Sequence, residues 1–297
     1  MNRRAAESTS PEFALRFRKC DPEARIGLPR GRYSNPSLGS SSLLAALAMA
    51  ITYAVSYQFS HGKDGLGPTV WRYLTDFDRI PIFIAALTFW SLSILLLKFL
   101  KIRAQRRALS VRLTPRDPMW VLDGSSADSV IATISATVEE PEQFMYLRRV
   151  LGVLRTMRNV GRIADVDELF ESRAGADEAV VDSGYTPVKA FIWGIPVLGF
   201  IGTVIGLTAA TANFGKVLSD PEMKKDLEAL AAGLTSVLGG LDTAFVTTAE
   251  GLIAAFFLYM AQMFVKQQDE RLLDDVRDAC SMNIVTKVRI TDSQART

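Results

Sequence analysis

Apolar positions in this chain gather into four long runs separated by charged stretches. The two longest form a hairpin from Val188 to about Val265, one arm running to Thr211 and the other starting near Ser236. Each arm is long enough to cross a bilayer, which takes about 20 mostly apolar residues. Two more runs lie upstream, from about Ser42 to Phe59 and from about Ile80 to Leu100. The first of these ends on Tyr53, Tyr57 and Phe59, which suit the aromatic belt at a membrane surface. The pattern predicts an all-α, integral membrane helical bundle with four transmembrane helices, paired as hairpins over 41–100 and 188–265.

The stretches between the runs have their own character. Residues 1–40 are rich in Arg, Pro, Ser and Gly and lack a sustained apolar face, which predicts a flexible tail. Within it, Phe13-Ala-Leu-Arg-Phe17 makes a short amphipathic piece able to lie on a membrane. Residues 101–187 predict a helical segment. From Pro141 the apolar residues Phe144, Leu147, Val150, Leu151 and Leu154 recur at helix spacing, with Arg148, Arg149 and Arg155 between them. Ser129–Ile134 suits a helix or a strand. Asp165–Val181 reads as a charged helix feeding directly into the third run, its charges forming a solvated face. Ala212–Gly233 is expected to connect the last two runs, with a helix start at Asp220-Pro221. Residues 266–297 predict an amphipathic helix, with Leu272, Leu273 and Val276, and a tail.

Charge placement sets orientation. Lys98, Lys101, Arg103, Arg106 and Arg107 close the second run, and Arg3, Arg4, Arg16, Arg18 and Lys19 precede the first. Excess Lys and Arg marks the cytoplasmic side of a span. Both signals put the N- and C-termini in the cytoplasm and the loop of residues 60–79 outside.

The formal net charge of only +2 argues against nucleic acid as a partner. Cys20 and Cys280 are too few and too far apart for a disulfide framework. His61, the one histidine, rules out a multi-histidine metal site, and no metal or cofactor is expected. Nor can a nucleophile, base and orienting group be assembled, so the chain does not read as an enzyme.

The third and fourth runs carry groups that a helix facing only lipid has no use for. Gly199, Gly202 and Gly206 make a small-residue stripe that lets helix backbones approach closely. Thr203, Thr208 and Thr211 add hydroxyls, and Pro196 is expected to bend the helix and free carbonyls. On the fourth run, at about 100° per residue, Thr243, Thr247, Glu250 and Ala254 fall on one face. Thr248 and Gly251 point away from it, and Asp242 flanks it. An acid among hydroxyls at membrane depth suits a proton or cation path. It equally suits a structural acid bonded across helices, and spacing leaves both open.

Two elements of the hairpin resemble a known family. Gly202-Thr203-Val204-Ile205-Gly206 in the first arm and Thr248-Ala249-Glu250-Gly251-Leu252 in the second are similar to the paired pore-helix motifs of the MotA/TolQ/ExbB proton-channel family. The resemblance covers roughly residues 140–275. It implies a mostly helical homo-oligomer, a homopentamer in the bacterial inner membrane, enclosing a single-span partner of the MotB, TolR or ExbD type. It also implies that ion flow through the complex does mechanical work, with Thr203 and Thr248 as pore-facing hydroxyls near an aspartate of the partner. Four runs match MotA topology, while the motifs read closer to ExbB. Glu250 stands where the second motif is variable. Thr248 and Glu250, two residues apart, do not share a helix face. If Thr248 faces the pore, Glu250 faces a neighbouring helix. The expected ion path thus comprises Thr203, Thr243, Thr247, Thr248 and Glu250, and the expected packing residues are Gly199, Gly202, Gly206 and Gly251. A non-conducting membrane scaffold and a passive gated channel remain the alternative readings.

Overall fold

A backbone N–H in lipid or in a dry core has no water to bond, so a long apolar run folds as a helix that satisfies its own amides. The computed structural model describes residues 14–58, 79–111, 113, 121–122, 124–156, 163–219 and 227–287. Its helices are α1 (Phe17–Cys20), α2 (Pro22–Ile26), α3 (Leu38–Gln58), α4 (Arg79–Arg106), α5 (Gly124–Thr137), α6 (Met145–Thr156), α7 (Ile163–Ser183), α8 (Thr186–Ser219) and α9 (Leu227–Asn283). Four helices among the described residues are long and apolar enough to cross a membrane: Leu38–Gln58, Arg79–Ser110, Glu168–Ser219 and Glu228–Lys287. The chain is a membrane protein of helical build. The strands among the described residues are a two-residue parallel pair, with Leu15 opposite Val138 and Arg16 opposite Glu139.

The chain departs from the sequence expectation in three places. Most of the expected connection Ala212–Gly233 is helix, because α8 runs on to Ser219 and α9 starts at Leu227. Asp220-Pro221 lies outside the described residues, as does nearly all of the loop at 60–79. The charged helix does lead into the third span, but across a two-residue break. It stops at Ser183, and a turn at Gly184-Tyr185 intervenes, with Gly184 N–H donating to the Val181 carbonyl at 3.2 Å. Finally, the expected flexible tail is built into the fold from Ala14 onward. Phe17 is 2% exposed and meets Phe144 edge-on at 5.2 Å. That contact also removes the amphipathic piece ending at Phe17 as a membrane-lying segment.

Two compact units result. Unit 1 takes the residues up to Ser40, Leu97–Gly184 and those from Val265; unit 2 takes Ser41–Leu96 and Tyr185–Phe264. In unit 1, α6 is the hub. The apolar positions read from its period are buried, together with Tyr146 and Arg149. Ser129–Ile134, which suited either state, is helix within α5.

In unit 2 the core is aliphatic. Ile80 and Ile84 of α4, Ile195 of α8, and Ala255 and Leu258 of α9 form one buried cluster. Trp90 ties α4 to its neighbours, its indole N–H donating to Ser41 Oγ at 3.2 Å and its ring tilting against Phe191 at 5.2 Å. The outward faces stay apolar: Leu43, Leu47, Phe200, Phe245, Phe256 and Phe257 are each more than half exposed in the single chain. Apolar surface on that scale marks contact with lipid or other chains.

Candidate functional site: a hydroxyl pair in a small-residue hairpin

The approach of α8 to α9 is set by what their side chains lack. A Cβ built on Gly199 would lie 2.9 Å from the Thr247 carbonyl oxygen, and one on Gly206 would lie 2.7 Å from the Gly240 carbonyl oxygen. From the other side, a Cβ on Gly240 would lie 2.8 Å from the Ala210 nitrogen, and one on Gly251 would lie 3.0 Å from the Ile195 oxygen. Gly202 backs directly onto the Thr247 side chain. The helices therefore meet backbone to backbone along Gly199, Gly202, Gly206 and Ala210 on one side and Gly240, Ala244, Thr247 and Gly251 on the other. Close approach of this kind replaces hydrophobic attraction, which lipid does not supply. Pro196 lies inside α8, which continues through it. Having no N–H, it cannot make the helical bond to the Ile192 carbonyl.

Thr203 and Thr248 face each other across this seam. Their hydroxyls bond directly to one another. Thr203 Oγ1 also lies 3.2 Å from the Ala244 carbonyl and 3.4 Å from the Gly199 carbonyl. Thr248 Oγ1 lies 3.2 Å from those same two carbonyls. Four oxygens thus converge, and a threonine hydroxyl brings only one proton. Two protons cannot serve every oxygen contact, so acceptor capacity is left over. Both threonines are half-buried. Such a cluster can clamp two helices, and it can also offer acceptors to a proton carrier or a cation that has shed water.

The other expected site residues scatter. Thr247 is fully buried, with its hydroxyl on the Thr243 and Ala244 carbonyls at 2.9 and 3.2 Å. Its side chain packs against Gly202. Thr243 bonds back to Gly239 at 3.0 Å, and Asp242 is exposed. Thr208 and Thr211 bond back to their own helix, to Val204 at 2.7 Å and Leu207 at 3.0 Å. Glu250 is half-buried on α9, next to the seam glycine Gly251 and two residues from the hydroxyl pair.

Sequence reading missed the ionic constellations of unit 1. Lys98 Nζ donates to Asp269 Oδ2 at 3.1 Å and to Asn35 Oδ1 at 2.7 Å. Lys101 Nζ meets Glu23 at 2.5 Å and Asp21 at 3.3 Å. All five of these charged side chains are at most 1% exposed. Glu23 also accepts from the Gly31 and Ser37 N–H groups at 2.9 and 2.8 Å and from the Ser40 hydroxyl. Burial pushes the Glu23 carboxyl up, but the bonds from Gly31, Lys101 and Ser40 and the Lys101 charge outweigh it and hold the group below its ordinary value. Arg149 is buried and reaches Asp177, one of the charges expected on a solvated face, through Nε and Nη2 at 3.1 and 2.9 Å. Signals for some of this were present. Lysines at 98 and 101 interrupt an apolar run one helical turn apart. Asp21-Pro22-Glu23 is a helix start, and Asp21 does cap α2 through the Glu23 and Ala24 amides.

Residues 146–278 match the sequence model of the MotA/TolQ/ExbB proton channel family. Searches of curated proteins and of solved structures found no match. The matched stretch holds α7, α8, the hydroxyl pair and most of α9, and it leaves out α3 and α4. Over that stretch the likeness read from the two glycine-threonine motifs is shown, and the family is one of channels.

Proposed function

We propose that this chain, being of the MotA/TolQ/ExbB proton channel type over residues 146–278, is the channel subunit of an ion-driven motor in a bacterial inner membrane. Proton or sodium flow would drive mechanical work or energised transport across the envelope. Copies of the chain form a pentamer around the single span of a partner of the MotB, TolR or ExbD type, and both termini face the cytoplasm. Thr203 and Thr248 present their hydroxyls to the partner's ionisable group, with Thr243 and Glu250 flanking that path.

The observation that carries this reading is the oxygen cluster at Thr203 and Thr248, at a membrane-spanning seam that is otherwise glycine and alanine. Polar groups at membrane depth are costly and concentrate where ions or substrates pass. A second reading has its own support: each hydroxyl also bonds a carbonyl of the facing helix, as interhelical glue in a non-conducting scaffold does.

The test is isolation of the chain from its native membrane with whatever stays bound, followed by a structure of the complex and flux measurements in proteoliposomes. The expected result is a ring around one or two foreign single spans, with Thr203 and Thr248 facing them. Thr203→Val and Thr248→Val should abolish gradient-driven flux while the ring still assembles. A ring that holds nothing on its axis, with both variants as active as the original, would sink the motor reading.

A further inference from the structure

A cluster of cations lies well away from the hairpin. Helices α1 and α2 and the following turn border an open cleft of about 950 Å³ lined by Arg18, Lys19, Arg25 and Arg30, with Ile26 and Leu28. No carboxylate is among its lining residues as far as the described residues go. The nearest acids in sequence, Asp21 and Glu23, point inward and are taken up by Lys101. Of the four cations, only Arg30 has a carboxylate partner among the described residues, Glu140 at 2.8 Å.

Three further observations say what this cleft meets. Arg18, Lys19 and Arg25 are exposed, so their charge is presented to the surroundings. Ile26, beside Arg25, is 73% exposed, the highest value among the large apolar residues outside the spans. An isolated aliphatic side chain among cations is the pattern of a segment seated at a lipid headgroup boundary. The chain also ties this cleft to a bilayer: α3 begins at Leu38, eight residues beyond Arg30, a reach of at most about 28 Å even when fully extended. A free phosphate would use the cations but has no use for Ile26.

We propose that this cleft holds the anionic headgroups of the adjoining bilayer leaflet, with Ile26 entering the acyl boundary. Each cation near an anionic surface strengthens binding by about fivefold. The site is independent of the pore: it does not use Thr203, Thr248 or any partner, and it stands or falls apart from the motor reading.

The test uses the full chain in nanodiscs of phosphatidylcholine alone and of phosphatidylcholine mixed with phosphatidylglycerol. Amide exchange is followed over residues 22–30. Exchange should slow by about fivefold or more in the mixed discs. The triple variant Arg18→Gln/Lys19→Gln/Arg25→Gln should lose that difference while the amides of α6 keep their protection, showing that unit 1 stays folded. Ile26→Ser should lose part of it with every charge intact. Equal exchange of the original chain in the two kinds of disc overturns the proposal. So does equal slowing by millimolar inorganic phosphate in phosphatidylcholine discs, which would make the cleft a soluble-anion site.

Discussion

Lys98 in unit 1 and Thr247 in unit 2 are both fully buried, yet their surroundings differ in kind. Lys98 is held by a carboxylate and an amide from distant parts of the chain. Thr247 bonds to carbonyls of its own helix and fills the gap left by a glycine. The contrast holds for each unit as a whole. Unit 1 buries charges and matches each with an opposite charge or several donors. Unit 2 uses hydroxyls and missing side chains, and it keeps an apolar outer face. A unit whose surface is wet can exclude water from a charge only by supplying a partner. One that sits in lipid gains little from apolar burial and depends on backbone approach.

The largest effect should come from breaking that rule in unit 1. Asp269→Ala takes away the carboxylate bonded to the buried Lys98 ammonium, and should cost about 3–5 kcal/mol. Lys98→Met/Asp269→Leu should recover most of the loss, read by thermal unfolding in detergent. If the single variant unfolds like the original, these charges are not matched as pairs.

Next comes the seam of unit 2. Gly202→Ala puts a methyl into the Thr247 side chain and should cost about 1–3 kcal/mol through overpacking. Gly215→Ala, in the same helix with nothing within 4 Å of a built Cβ, should be neutral or stabilising. Equal effects at the two sites would mean that α8 and α9 do not meet through Gly202.

Acid should separate the units as well. The Glu23 pKa is lowered from its ordinary 4.5 by the bonds from Gly31, Lys101 and Ser40, which outweigh burial. A lowered carboxyl contributes stability that is fully present above about 4.5 and is lost as pH falls through the folded-state value. Amides of unit 1 should therefore lose protection below about pH 4.5, and Glu23→Gln should remove that step at the cost of lower stability at neutral pH. Exchange measured across a pH series checks it.

The smallest effect lies on the same helix as one of the largest. Arg155 pairs with Glu142 at 2.8 Å, but both side chains are 58% exposed. Arg155→Ala should change stability by at most about 0.5 kcal/mol. Arg149→Ala removes the cation paired with buried Asp177 and should cost about 3–5 kcal/mol. A ratio near one between the two would show that burial does not decide the value of an arginine pair here.

Much of the membrane architecture was legible in the residues themselves. Runs of about 20 apolar residues have few places to go besides lipid, and the glycine stripe with its threonines is a local pattern. The period of Phe144, Leu147, Val150, Leu151 and Leu154 likewise foretold the buried face of α6. What stayed hidden depended on pairing. Lys98 and Lys101 read as the basic end of a span, since nothing near them in sequence names Asp269 or Glu23 as partners. Asp177 read as part of a solvated face because the other charges on its helix look the same in sequence. The wheel set Thr247 and Thr248 on different faces, but the two helices come close enough for both to reach α8.

Hydrophobic length and period, which are properties of contiguous residues, determined from sequence alone that the chain is helical, that it has four helices long and apolar enough to span a membrane, and that one hairpin carries glycines opposite hydroxyls. Tertiary structure decided which charges are buried, that residues 14–40 belong to the fold, and that the oxygens of Thr203, Thr248, Gly199 and Ala244 meet at one place. Those outcomes rest on contacts between residues dozens to hundreds of positions apart. Desolvation makes such contacts strongly favourable or strongly unfavourable only after the chain has brought the partners together.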